Sequence, residues 1–531
     1  MQKRICHRLV MMLAIVAAYG TAGIAWCQEG SASGTAGNAG YNAAPDLART
    51  PPTSPAVENQ FVADNVNADS ATLAARVADL EKTLKKMEDA AKADKTAAAD
   101  KMTCTPYGRV QLDTASFSQV GNYAGWNQAV RPESNGVEFR RLYLGLQGGG
   151  FGVITYKAEF DIAGTNTNNA ATPTDSYTSS VSTVQAASVQ AKDVFLQINE
   201  LPLIGHLRIG NYYEPFGLEA TTSDLNTTFM ERANTDKISP DRHIGVMAFD
   251  HFNCNEDTLW ELGGFCSAGG DGGMIYQDSH NYTASTLAGR ITWLPWYAEC
   301  TNGRGLFHVG LAGNYQKAWA NEYPLAKGPD TRPEESHLGL PYNFTMTSVD
   351  HVAQLGGELA WVYGPFSVQS EYAGAYATKL NGTSSPINAF YIQTSYFLTG
   401  ENRVYDRNMA CWTRIRPFEN FFRVRDEDGC VQTGRGAWEV AYRWDNIDFT
   451  DALSTAGIAT ANGVNSSAMA SRFSNHTIGL SWYLNPFTKL MFNYVYSTEI
   501  DTQTGSLGAQ GGVHTSPNYL SVYEMRAQID F

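Results

Sequence analysis

From Thr103 to the carboxyl terminus, apolar and polar residues alternate with a period of two over segments of about 11 to 14 residues. Successive side chains of a strand point to opposite faces, so this alternation marks β-strands with one apolar and one polar face. Ile154, Tyr156, Ala158, Phe160 and Ile162 alternate with Thr155, Lys157, Glu159 and Asp161, and the chain closes on Tyr523, Met525, Ala527, Ile529 and Phe531 against Glu524, Arg526, Gln528 and Asp530. A soluble β-sandwich would use strands of about five or six residues. These are twice as long, and their apolar faces are rich in Trp, Tyr and Phe, as the interface girdles of a membrane barrel require.

About sixteen such segments follow one another, among them 107–117, 151–163, 256–268, 387–398 and 519–531. An even number suits a transmembrane antiparallel β-barrel with both termini on one side. Compact turns such as Gly148-Gly149-Gly150 and Asn485-Pro486 alternate with longer loops at 164–188, 213–242, 320–349, 450–472 and 501–518. Segment 399–434 is the exception, a long connection on the short-turn rim. A carboxyl-terminal Phe531 in register with the outward face is the feature that barrel-assembly machinery recognises. The expected class is all-β, a barrel of about sixteen strands over residues 103–531.

Three segments precede it. Lys3, Arg4 and Arg8, an apolar run from Leu9 to Ala18 and the small-x-small site Ala25-Trp26-Cys27 read as a cleaved signal peptide over 1–27. Residues 28–70, rich in Gly, Ala, Ser, Asn and Pro, read as a flexible linker. Leu73, Val77, Leu80, Leu84, Met87 and Ala91 then space as a heptad seam, so 71–102 is expected to form a short coiled-coil helix that supports oligomerisation, or else a solvated helix on another surface. The net charge of −15, more negative once the basic leader is removed, disfavours nucleic-acid binding. The mean hydropathy of −0.29 excludes a polytopic helical membrane protein and leaves a barrel open.

The segments FRRLYLGLQG (139–148), YKAEFDIA (156–163), RIGNYYEPFGLE (208–219), FMER (229–232), PDRHIGV (240–246), GPFSVQSEY (364–372), LTGENRVYD (398–406) and GAWEVAYRW (436–444) resemble the phosphate-selective porin O and P family. The resemblance implies an outer-membrane homotrimer of sixteen-strand protomers, a third loop folded inward, and basic residues along a passage for small hydrophilic solutes, anions such as phosphate among them. Many relatives carry a Lys just before the Glu-Pro-Phe-Gly turn, where this sequence has Tyr213.

The third loop is then 213–242. Phe229-Met230 offers an apolar wedge against the wall, and Arg232, Lys237 and Arg242 are candidates for the constriction, where positive charge replaces an anion's lost hydration. Alternatively, Arg232 pairs with Glu231 or a wall carboxylate to fix the loop. Period-two reasoning turns Arg109, Lys157, Arg208, Arg290, Arg443 and Arg526 toward the lumen beside Asp113, Glu159, Asp161, Glu358, Glu371, Glu439 and Glu524, a mixture that favours a cross-strand charge network over an arginine ladder.

In an oxidising compartment Cys411 with Cys430, and Cys254 with Cys300, are candidate disulfides. No cofactor, metal or enzymatic chemistry is expected. The partners are outer-membrane lipid, further copies of the chain, the assembly machinery and small anions. A competing reading is a structural tether whose coiled coil grips a periplasmic partner.

Overall fold

The structure, a computed structural model, describes residues 82, 101–120, 135–163, 189–253, 255–266, 285–301, 303–318, 321–327, 342–425, 429–454, 458–459, 470–502 and 519–531. The expected signal peptide (1–27), linker (28–70) and coiled coil (71–102) lie outside them, apart from Lys82, Lys101 and Met102. Of the amino-terminal unit, residues 1–85, only Lys82 is described, in helical conformation.

The second unit is built from β1 (Thr105–Val120), β2 (Gly136–Gly150), β3 (Ile154–Asp161), β4 (Gln190–Leu201), β5 (Gly205–Tyr213), β6 (Arg242–His251), β7 (Thr258–Cys266), β8 (Ser285–Tyr297) and β9 (Gly305–Lys317). After the loop strands β10 (Glu322–Lys327) and β11 (Tyr342–Thr347) come β12 (Val349–Tyr363), β13 (Phe366–Lys379) and β14 (Ser384–Phe397). An insert contributes β15 (Val404–Asp406), β16 (Cys411–Thr413), β17 (Phe422–Arg425) and β18 (Val431–Gly434). The chain ends with β19 (Ala437–Asp448), the short β20 (Ile458–Ala459), β21 (Ala470–Asn485), β22 (Thr488–Thr502) and β23 (Tyr519–Asp530).

Leaving aside the loop and insert strands, sixteen strands pair antiparallel with their neighbours in sequence. The sheet closes where β1 meets β23, from Arg109 opposite Asp530 to Val120 opposite Tyr519. Closure leaves no sheet edge, so every strand finds backbone partners without water. The apolar rows face out and remain exposed, among them Leu144, Leu196, Ile209, Leu262, Leu311, Leu355, Ile478 and Tyr523. The polar rows face in and are buried: Gln111, Asp113, Glu159, His308, Glu358, Gln393, Asn475 and Arg526. A soluble protein would show the reverse, and an apolar exterior around a polar interior is the membrane-barrel arrangement.

The strand positions follow the period-two reading closely, with two differences on the rims. The connection from Lys379 to Ser384 is short although it lies on the long-loop rim. The insert after β14, on the short-turn rim, folds into two hairpins. The first, β15 with β16, turns into the barrel, where Tyr405, Ala410 and Trp412 join the buried cluster of Tyr212, Leu218 and Met247. The second, β17 with β18, stays exposed at the rim.

This division corrects the expected Cys411–Cys430 disulfide. Cys411 is a free thiol on the inward hairpin, whereas Cys430 is exposed beside β18. Burial, with Asp406 nearby, pushes the Cys411 thiol up to about 12. Cys300 is likewise a free, exposed thiol, and Cys254 lies outside the described residues.

At the seam, Phe531 and Gly108 exchange both backbone hydrogen bonds, each 3.0 Å. Deleting Phe531 should lower the yield of heat-modifiable barrel in outer-membrane fractions while leaving export across the inner membrane intact. A normal yield of folded barrel would remove the terminal residue from assembly.

Candidate functional site: the constricted passage

Loop 3, residues 214–241 between β5 and β6, crosses the barrel interior. Its two buried aromatics sit where the opposite wall has no side chain. A Cβ at Gly356 on β12 would come within 3.0 Å of the Phe216 ring, and one at Gly479 on β21 within 3.0 Å of the Phe229 ring. Between these anchors the helical turn Leu218–Thr221 presents its first N–H groups to the wall, and Glu371 on β13 accepts from Leu218 (3.0 Å) and Glu219 (2.8 Å). The free N–H groups at the start of a helical turn require such an acceptor when buried. Further on, Gln354 donates to the carbonyl of Ile238 (2.5 Å), and Lys489 donates to that of Leu225 (3.2 Å).

Two carboxylates tie the loop to the closing seam. Asp224 pairs with both Arg109 on β1 and Arg141 on β2. Glu231 pairs with Arg140 on β2 (3.1 Å) and Arg526 on β23 (2.8 Å), and Arg526 also holds Asp113 on β1 at 2.6 Å and the Met230 carbonyl at 2.5 Å. Consecutive residues of a strand normally face opposite ways. Arg140 and Arg141 both reach loop 3 because the β1–β2 register slips at Gln111/Leu112, opposite Arg141 and Phe139, and leaves Arg140 as the extra residue of a β-bulge.

Burial alone would raise the Asp224 carboxyl. Arg141 and Arg109, with Arg232 and Arg242 beyond, outweigh it and hold the group well below the usual carboxylate range.

Among the described residues, a cavity of about 290 Å³ lies between loop 3 and strands β1 and β3–β7. Its wall side carries Arg109, Lys157, Asp193, Arg208, Arg242 and Glu261. Tyr213 closes β5 beside them, the loop side carries Thr221, Ser223, Asp224 and Arg232, and the inward hairpin supplies Asp406, Met409, Cys411 and Trp412. The hairpin is fixed from several sides. Trp412 Nε1 donates to Gln369 (2.8 Å), Tyr405 meets His308 (2.8 Å), Arg290 donates to the Ala410 carbonyl (2.9 Å), and Arg407 binds Asp257 (2.9 Å) and Glu299 (2.8 Å) on the rim. The cavity is therefore bounded by the third loop and by the insert from the opposite rim.

The cations of the cavity are mostly compensated. Arg109 pairs with Glu159 (2.9 Å) and Asp224, Lys157 with Asp193 (2.7 Å), and Arg242 with Asp193 (2.6 Å). Tyr213 lies between two guanidiniums. Arg242 is 3.9 Å from its ring centroid and Arg232 is 5.2 Å away, donating to its hydroxyl at 2.9 Å. Arg232 pairs with Asp236 (3.5 Å), and Glu231 is engaged by Arg140 and Arg526.

Arg208 differs from the other cavity cations. It packs on Phe195 (4.5 Å), Phe249 (5.1 Å) and Tyr212 (5.4 Å), and its nitrogens donate to Gln197 (2.9 and 2.7 Å) and to the Met409 sulfur (3.8 Å). Among the described residues it makes no ion pair.

Of the candidate constriction residues, Arg232 and Arg242 line the cavity, and Lys237 sits half-buried on the 3-10 turn Asn234–Lys237 away from its lining. Of the six bases assigned to the lumen, Arg109, Lys157 and Arg208 line it. Arg290, Arg443 and Arg526 are enclosed and serve the scaffold: Arg290 grips Glu358 (2.8 Å) and Glu261 (3.1 Å), and Arg443 donates to the Glu231 carbonyl (3.0 Å) under the Phe229 ring. Sequence reasoning missed Asp224, the Arg140–Arg141 pair and the inward hairpin. The arginine pair had a signal, because the apolar row shifts from Val137 and Phe139 to Leu142, Leu144 and Leu146 across it.

A closed sixteen-strand barrel with an apolar exterior, a loop folded across its interior and a polar cavity beside that loop is the architecture of an outer-membrane porin, a channel-forming protein. Residues 107–531 match the family of phosphate-selective porins O and P, and the chain belongs to it. Porin O of Pseudomonas aeruginosa is 25% identical over 434 residues, 76% of this chain and 85% of that protein. Among solved structures, the outer-membrane channel DcaP of Acinetobacter baumannii is similar over 81% of this chain and 97% of its own, with 13% identity and a TM-score of 0.46. The anion-selective porin from Comamonas acidovorans is similar over 81% and 100%, with 11% identity and a TM-score of 0.44.

Two expectations concern the loop clamp. Removing one member of a buried ion cluster leaves uncompensated charge and costs about 3–5 kcal/mol, so Asp224→Ala should loosen loop 3 and give larger, noisier unitary conductance in planar bilayers. An unaltered trace would show that the apolar anchors suffice. The pH dependence follows from the depressed Asp224 carboxyl. Its stabilising charge is present above the unfolded value and is lost only as pH falls through the folded one. Wild-type conductance should therefore keep its low noise from pH 7 down to about 4, near the ordinary carboxylate range, and loop noise appearing already at pH 5 would contradict the clamp.

Proposed function

We propose that the channel passes small anions, phosphate among them, through the cavity between loop 3 and strands β1 and β3–β7, and that Arg208 takes the charge of the passing anion. The observation that carries this reading is the state of the cavity cations: Arg109, Lys157, Arg232 and Arg242 each face a carboxylate, whereas Arg208 rests on aromatic faces with neutral hydrogen-bond acceptors. A guanidinium with its charge uncompensated offers an anion a substitute for hydration water, and its planar donors suit oxyanions. The description of the family supports phosphate as one solute. The neighbouring Asp193, Asp224, Glu261 and Asp406 keep the preference for anions modest.

In the same reading, residues 1–27 direct export and residues 71–102 form a coiled coil that supports a homotrimer. The heptad seam supports an oligomer, and the family supports its position in the outer membrane.

The test is the reversal potential under a salt gradient for wild type and Arg208→Gln. A unit charge at about 4 Å is worth about 1 kcal/mol in a water-like medium, or roughly fivefold in occupancy. The variant should shift toward cations by up to about that ratio at similar conductance, and phosphate should reduce chloride current in wild type more than in the variant. An unchanged reversal potential would reject Arg208 as the filter, and a wild-type preference for cations would reject the anion reading itself.

A further inference from the structure

The exposed hairpin of the insert, β17 with β18, takes no part in the passage. Its first strand begins at Phe422, whose φ of 71° is a conformation that bulky side chains rarely adopt. Phe422 is 63% exposed, Phe418 65% and Val431 45%. The base of the hairpin is nevertheless firmly placed. The Phe421 N–H donates to the Leu484 carbonyl at 2.6 Å, its ring meets Trp482 edge-on at 4.4 Å, and Trp482 stacks on Trp438 at 4.8 Å while donating to the Arg435 carbonyl at 2.9 Å. Trp438 and Trp482 belong to the outward rows that continue through Val440 and Tyr442 on β19 and Ile478 on β21. Apolar surface thus runs from the lipid-facing belt onto the hairpin, and Arg416, Arg425 and Arg435 are exposed around it.

We propose that residues 416–425 and 429–435 form a foot lying in the headgroup layer of the periplasmic leaflet, with Phe418 and Phe422 against acyl chains and the exposed arginines on phospholipid phosphates. Outer-membrane barrels carry girdles of aromatic residues at both interfaces, and arginines there can lay their stems along apolar surface while the guanidinium stays in the polar layer. The sequence between the two strands is acidic, Asp426-Glu427-Asp428, so contact rests on the apolar edge and individual phosphates and should persist in zwitterionic lipid.

The full-length protein would be reconstituted in phosphatidylethanolamine vesicles carrying a trace of phospholipid with a photoactivatable group near the glycerol, and the crosslinks mapped by mass spectrometry. Labelling is expected on residues 418–422 together with the Trp438 and Trp482 peptides. Phe418→Ser with Phe422→Ser should lose the hairpin label and keep the tryptophan label, with heat modifiability confirming the fold. Labelled tryptophan peptides beside an unlabelled wild-type hairpin would overturn the proposal. The wild-type result decides the question even if the double variant fails to fold.

Discussion

Closure of the sheet between β1 and β23 is the constraint on which the rest of the structure depends. Hydrocarbon offers no partner for a free N–H or carbonyl, so the first and last strands must find each other across the whole sequence. The side chains at this seam also position the third loop. Arg526 from the last strand grips Asp113 on the first and reaches the loop through Glu231 and the Met230 carbonyl. Sealing the barrel and placing the loop therefore share one cluster of charges. Buried ion pairs contribute little net stability once desolvation is counted, but breaking one is costly, and such a cluster specifies a position more than it strengthens the fold.

That use of charge shapes the passage. Arg140, Arg141, Arg290, Arg443 and Arg526 are engaged in holding loop 3 and the inward hairpin. The basic residues left along the cavity are compensated by Asp193, Asp224, Glu159 and Asp236, with Arg208 the exception. A protein with more acidic than basic residues can thus retain a local site for anions, because exposed charges beyond about 8 Å are screened at physiological salt.

Much of this was legible in the sequence because the strand period is two and the strands are long. The segments near 107–117 and 519–531 correspond to β1 and β23, and the loop expected at 213–242 is loop 3. The Phe229-Met230 wedge was legible as an apolar pair within a polar loop. The inward hairpin was not: β15 and β16 are three residues each, too short for periodicity, and their partners Gln369 and His308 are distant in sequence. Which carboxylate meets which arginine was also hidden, since pairing depends on strand register and on the bulge at Arg140. The two cysteines of the insert looked close because the segment was read as one loop, whereas it folds into hairpins with different destinations.

If solutes cross through the cavity between loop 3 and the β1, β3–β7 wall, an obstruction placed there must stop the current. Ser223 lies on the loop side of that cavity, so Ser223→Trp places a large ring in the passage and gives up the hydroxyl's 3.5 Å contact with Asp224 while leaving the Asp224 carboxylate itself in place. Unitary conductance in planar bilayers measures the consequence directly. Most of the current should be lost in a variant that remains heat-modifiable; a conductance equal to that of wild type would mean that solutes take another route.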